Sequence, residues 1–287
     1  MRQAVFLVAI LVVAAPAAAK VWRGDLQGGQ VGQLGGLHGS VAVTWDSKYL
    51  WRGFDFYDDE GALHLQTDLS LFDTGFGVSV AGNRAASGGF EDKERWDFAG
   101  YYQNSLFKDQ PYVTQFRVGW AYHAYPELNE GESLDLQEGQ LILSWPSILP
   151  IKGMCPTYEL VKMWQADEES RLADGNGWLH ILMLDYGFSI PSLVPGSSKE
   201  QLVKLHSEVV YNDGFSPTPA RRVNDWRILY PNPDHDWSHA VFGVSTDLDF
   251  GSGIVFTPGV FYQLTLNNSI NEDDEELWAS LTLKWSF

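Results

Sequence analysis

The sequence predicts an all-β protein: a transmembrane, up-and-down antiparallel β-barrel of about twelve strands, with roughly 10 to 14 admissible. Three observations carry this prediction. Apolar and polar residues alternate with period two in run after run from Ser40 to Phe287. Acidic residues gather on every second connection between those runs. The last eleven residues, "LWASLTLKWSF", form the clearest alternation of all, where a strand would ordinarily fray.

Residues 1–19 read as a secretory signal, with Arg2 as the positive end, Val5 to Val13 as the apolar run and Ala17-Ala18-Ala19 before the cut at Lys20. Residues 20–39, rich in Gly and Gln, read as a flexible lead-in, and 40–287 as the barrel. After the signal no stretch approaches the ~18 apolar residues of a membrane-crossing helix. The lone Cys155 forms no intramolecular disulfide. The formal charge of −18 disfavours nucleic acid as a partner, because phosphates would be repelled. Twelve tryptophans suit a membrane interface, where one end of the ring is greasy and the other wet.

The first predicted strand, "VAVTWDSKYLWRG" (41–53), puts Val41, Val43, Trp45, Tyr49 and Trp51 on one face and Thr44, Asp46, Lys48 and Arg52 on the other. In "ALHLQTDLSL", Leu63, Leu65, Leu69 and Leu71 oppose His64, Gln66, Asp68 and Ser70. Further strands are read at 75–84, 94–106, 112–124, 134–145, 156–165, 178–189, 201–211, 237–249, 254–266 and 277–287. The faces are ambiguous within 145–200, where Pro146, Pro150, Pro156 and Pro191 interrupt.

A soluble β-sandwich also alternates, so the connections must separate the two architectures. The outer connections are read at 54–60, 85–93, 125–133, 166–177, 212–236 and 267–276, and the inner ones at 72–74, 107–111, 146–155, 190–200 and 250–253. By these boundaries the outer set carries 22 acidic and 5 basic residues, net −17, whereas the inner set is neutral. A sandwich has no reason to sort acids this way. The terminal strand fits closure as well: Leu277, Ala279, Leu281, Leu283, Trp285 and Phe287 form an outward apolar row, and pairing with the first strand leaves no open edge in lipid. Leu281, Leu283, Trp285 and Phe287 also resemble the terminal signal by which the assembly machinery of bacterial outer membranes recognises barrels.

The stretch "VTWDSKYLWRGFDFYDDEGALHLQTDLSLFDTGFGVSVAGN" resembles the opening of the outer-membrane porin family labelled TorF or Gcw_chp, whose "S-D-Y-x-F-R-G" strand is matched at Ser47, Tyr49, Trp51, Arg52 and Gly53, with a further match at Gly75-Phe76. Lys48 replaces the usual acid and Trp51 the usual Phe. The resemblance covers residues 41–83 and implies an outer-membrane barrel proposed to be a pore, with no catalytic residues to carry over.

The inward polar positions are the candidate pore lining: Lys48, Arg52, Gln66, Asp68, Arg117, His123, Glu138, Lys204, His206, Glu208, Asp247 and Lys284. Both signs occur, which suits a narrow path for small polar solutes filtered by field and size. A sealed structural or adhesive barrel would instead pair these groups across its interior. A third reading, a barrel hydrolase, rests on "PNPDHDWSH" (231–239), where Asp234, His235, Asp236, Ser238 and His239 could supply an orienter, a base and a nucleophile; no oxyanion donor accompanies them. His206 and Ser207 are adjacent and point to opposite faces. The acidic loops "DFYDDE" and "NEDDEE" lack the spacing of a defined calcium loop and read as a solvated rim that could loosely bridge divalent cations to lipid headgroups. "GNRAASGG" and "GSG" read as turns, and no cofactor is expected. The expected surroundings are outer-membrane lipid, with the barrel assembly machinery and small polar solutes as partners.

Overall fold

The structure, a computed structural model, describes residues 37–128, 133–166, 172–174, 176–193, 200–219, 222–223, 226–227, 235–271 and 275–287. Twelve antiparallel strands close into a single barrel: β1 (His38–Asp46), β2 (Ala62–Ser70), β3 (Phe76–Ala85), β4 (Arg95–Leu106), β5 (Thr114–Ala124), β6 (Leu136–Ser144), β7 (Met154–Gln165), β8 (Gly177–Ile190), β9 (Gln201–Asp213), β10 (His235–Gly251), β11 (Ile254–Thr265) and β12 (Glu275–Ser286). Each strand pairs with its neighbours in sequence, and β12 returns to β1. That last seam sets Val43 opposite Leu283 and Trp45 opposite Leu281. The terminal Phe287 is tied to Gly39 by two backbone hydrogen bonds of 3.0 Å each, so the last strand has no free edge.

Period-two alternation places one row of each strand outside and the other inside. Outward residues are apolar and exposed, among them Val43, Leu182, Phe242, Leu283 and Trp285. Trp120, Trp178 and Trp237 stand toward the end with the long connections, and Trp285 with Phe287 toward the other. These rings sit where the two girdles of a membrane barrel would lie. Five connections join the strands at one end, hereafter the short-turn end, spanning 71–75, 107–113, 145–153, 191–200 and 252–253, of which the first, second and last are tight. The β10–β11 turn is the "GSG" segment: Ser252 and Gly253 both have positive φ, as a two-residue hairpin turn requires. Both chain ends of the barrel lie at this short-turn end. At the opposite end the connections span 47–61, 86–94, 125–135, 166–176, 214–234 and 266–274. With these observed boundaries the long connections carry 20 acidic and 7 basic residues, net −13, and those of the short-turn end remain neutral.

One expectation is overturned. The first strand does not run to Gly53: β1 stops at Asp46, and the chain turns inward to form a small hairpin, Leu50–Trp51 paired with Phe54–Asp55. Tyr49 and Trp51, expected on the outward face, are each 2% exposed inside the barrel. The chain bends at Ser47–Lys48, and beyond it Arg52 and Gly53 have φ of 55° and 94°, so the "RG" dipeptide makes a tight two-residue reversal in place of extended strand. At Gly53 a Cβ atom would also lie 2.4 Å from the His239 ring.

Candidate functional site

The inward hairpin, hereafter the plug, sits in the half of the lumen nearer the long connections. Its body is aromatic. Trp51 meets Phe56, Phe215 and His123 edge-on, and Tyr49 packs against Tyr57 and His64. The barrel wall opposite is apolar on its inner face too, through Val161 and Met163 of β7 and Leu179, Ile181 and Met183 of β8. Greasy packing therefore closes one side of the lumen.

The other side is closed by charge. Arg52, at the tip of the plug, donates from Nη2 to Oε1 of Glu138 at 2.7 Å and from Nη1 to Oε1 of Glu159 at 2.9 Å. All three side chains are nearly fully buried. Gln140 Nε2 donates to the same Glu159 oxygen at 2.6 Å. Next to this pair, Asp97 is held by Arg95 at 2.7 Å, by His123 at 2.6 Å and by Asn83 Nδ2 at 3.1 Å. His123 also reaches Glu138 at 3.4 Å. Arg95 donates to the Tyr49 hydroxyl at 3.0 Å, and its guanidinium lies 4.2 Å from the centre of the Trp51 ring. So the plug is clasped by two arginines, one of its own and one of the wall.

Two further contacts fix the plug from the β10–β11 side. Gln263 Nε2 donates to the Gly53 carbonyl at 2.8 Å, and His239 lies against Gly53. At the root of the plug, Lys48 is paired with Asp59 and Glu276. Burial alone would lower the Lys48 ammonium, but those two carboxylates outweigh it and hold its pKa above the ordinary lysine value. Asp55, Asp59 and Glu276 are the one group of three acids among the described residues close enough to share a cation, and Lys48 already reaches two of them.

Below the plug, toward the short-turn end, the lumen holds smaller clusters. Arg117 donates from Nη2 to Gln103 at 2.6 Å and lies 4.2 Å above the Tyr101 ring, whose hydroxyl donates to Asp68 at 2.8 Å. Across the lumen, Lys204 pairs with Asp247 at 2.6 Å, and His206 bridges Asp185 and Glu208 at 2.6 and 3.2 Å. The Lys204 and Asp247 side chains are 36% and 25% exposed, so the lumen is less tightly filled here than at the plug. A small cavity between the two zones is lined by Arg52, Gln66, Asp97, His123, Glu138 and Gln140.

Of the sequence-derived lining residues, the structure therefore brings Arg52, His123 and Glu138 together at the plug, with Gln66 at the cavity. It places Asp68 with Arg117, Lys204 with Asp247, and His206 with Glu208. Lys48 and Arg52 belong to the first long connection and not to a wall strand, and Lys284 lies on the inward row of β12, opposite Ala42 and Val255. Sequence reasoning missed Glu159, Asp97, Arg95 and Asp185. Period-two counting from Cys155 through Thr157 would have turned Glu159 inward.

The 231–239 segment divides. Asp234 lies outside the described residues. His235 pairs with Asp213 at the exposed rim, and Asp236 accepts from Asn267 at 3.2 Å. Ser238 and His239 are buried and hydrogen-bonded to each other at 2.5 Å, at a bulge in the β9–β10 ladder where the pairing passes from His239 to Trp237 and skips Ser238. Rim and interior halves thus do not converge on one cleft. Leu281, Leu283 and Trp285 stand outward on β12, exposed, with Phe287 beyond them.

No family model and no curated protein sequence matches the chain. Among solved structures it is similar to LpxR from Salmonella typhimurium, with a TM-score of 0.50 and 11% identity over 86% of this chain and 100% of that one. It is also similar to a KdgM porin, at 0.48 and 11% over 86% and 99%, and to a NanC porin, at 0.43 and 14% over 87% and 98%. At such identities the likeness concerns the fold, a closed β-barrel of outer-membrane type.

Proposed function

We propose that the chain is an outer-membrane channel for small polar solutes, held closed by its own first long connection. The observation that carries this reading is the identity of the obstruction. The wall encloses a lumen with polar side chains that are partly exposed at the short-turn end, and the block at the other end is a hairpin of a loop whose tip is a charged residue on wall carboxylates. A permanent polar core would be built from wall residues; a loop can leave. The outward apolar rows and the aromatic girdles support placement in a membrane, and the acidic long connections would face the exterior. The resemblance to the TorF/Gcw_chp porins supports this reading, because the matched Ser47, Tyr49, Trp51, Arg52 and Gly53 run from the root of the plug to its tip.

The test replaces residues 49–57 with a short Gly/Ser bridge and measures liposome swelling with polyols of graded size. The channel reading expects the parent chain to be nearly impermeable and the replaced chain to admit small polyols and reject large ones. If the replaced chain, shown to be folded, admits none, the barrel is a sealed structural or adhesive one, a reading favoured by the aromatic packing around Tyr49, Trp51, Tyr57 and Phe215.

A further inference from the structure

We propose that Arg52 is a tethered stand-in for the channel's own solute: the Glu138–Glu159 seat takes the guanidinium or primary ammonium group of a small cationic solute, which opens the barrel by displacing Arg52. This rests on the channel reading above and names its solute class.

Glu138 and Glu159 both turn into the lumen from adjacent wall strands β6 and β7, four positions apart in the pairing register (Glu138 lies opposite Met163, and Glu159 opposite Ile142), whereas the cation they share arrives on the plug. Asp97, by contrast, has Arg95 and His123 on the wall at 2.7 and 2.6 Å and keeps them wherever the plug goes, while without the plug Glu138 retains the longer 3.4 Å contact to His123 and Glu159 the neutral Gln140 amide. Withdrawing the plug takes a cation from two buried carboxylates at once. Removing one partner of a buried ion pair is among the costliest single changes in a protein interior. The plug therefore leaves readily only when another cation takes the seat.

The second observation is that the seat adjoins a small cavity that carries an unused acceptor. Gln66 is 4% exposed, its Oε1 accepts no hydrogen bond, and it lines the same cavity as Arg52, Glu138 and Gln140. The neighbouring inward positions on β3, β4 and β5 are small, Ala81, Ala99 and Gly119, which is why a cavity exists there. An incoming group thus finds two carboxylates and an amide oxygen, all acceptors.

That donor-seeking set fixes the chemical class. An anion would be repelled, and a neutral sugar would not offset the exposed carboxylate charge. A planar guanidinium matches it best, because one already bonds both acids with separate nitrogens. A primary ammonium, with three donors, is the simpler member of the class.

The experiment uses the full chain in planar bilayers at constant ionic strength, comparing methylguanidinium with tetramethylammonium, which has no N–H donor. Methylguanidinium in the millimolar range should raise the open fraction several-fold and tetramethylammonium should not; Glu138→Gln should lose the response. Because Glu138→Gln could misassemble, a second measurement reads binding in detergent. Methylguanidinium should raise the melting temperature of Arg52→Gly barrels, which keep the positive-φ turn, and leave that of Arg52→Gly/Glu138→Gln unchanged. If the chain with the Gly/Ser bridge conducts while methylguanidinium neither opens the parent nor stabilises Arg52→Gly, the solute class is wrong and the channel stands. If the bridged chain does not conduct, both fall together.

Discussion

Gly53→Ala is expected to unseat the plug without disturbing the barrel wall. The position has φ of 94°, and a Cβ there would lie 2.4 Å from His239 and 2.9 Å from Asn271. His239 cannot easily yield, since it is buried and hydrogen-bonded to Ser238. Alanine in left-handed backbone costs about 1–2 kcal/mol. A shift of the turn large enough to relieve the clash also breaks the Gln263 bond to the Gly53 carbonyl, about 1 kcal/mol more. The sum, about 2–3 kcal/mol at 1.4 kcal/mol per decade, raises the undocked fraction about 30- to 150-fold. Single-channel recording reads that fraction as open probability, and heat-modifiable gel migration confirms that the barrel itself is folded. A folded Gly53→Ala protein with the parent's open probability would refute the seating of the plug against β10.

Trp51→Ala removes a ring packed against Phe56, Phe215 and His123, and should cost about 3–5 kcal/mol of plug docking, read as faster proteolysis within 47–61. Leu182→Arg, midway along β8 on its outward face, should cost about 2–4 kcal/mol of barrel stability in lipid, measured by reversible unfolding in vesicles. Lys48 carries a raised pKa in the folded protein, so its stabilisation is complete below the unfolded value of about 10.4 and is lost as pH climbs through the folded one. Proteolysis of the first connection should accordingly stay constant from neutral pH to about 10 and rise only above it, and Lys48→Met should abolish that rise.

The wall was legible in the sequence wherever one face of a strand meets lipid and the other meets water. Thus β5 and β12, which alternate cleanly, were placed with nearly correct ends, and the count of twelve was right. Legibility failed where the inner face is not wet. In β8, Trp178, Leu182 and Leu184 point outward while Leu179, Ile181 and Met183 point into the apolar side of the plug, so both faces read alike. The same cause hid Glu159 in the uncertain 145–200 zone. The plug is hidden for a different reason: Tyr49 and Trp51 continue the period of β1 in the sequence, and what breaks it is a bend at Ser47–Lys48 followed by the positive φ of Arg52 and Gly53. A glycine after an arginine in an aromatic run is a weak turn signal by itself. Of the candidate site, the charge at Arg52, His123 and Glu138 was visible, but its arrangement as a loop pinned to a wall was not.

The most direct test of the account is fluorescence quenching by lipids with brominated acyl chains, applied to variants that retain a single tryptophan. The account predicts strong quenching of Trp120 and Trp285, which face lipid, and little quenching of Trp51, enclosed beneath the long connections. Quenching of Trp51 equal to that of Trp285, or protection of Trp120 and Trp285, would contradict it.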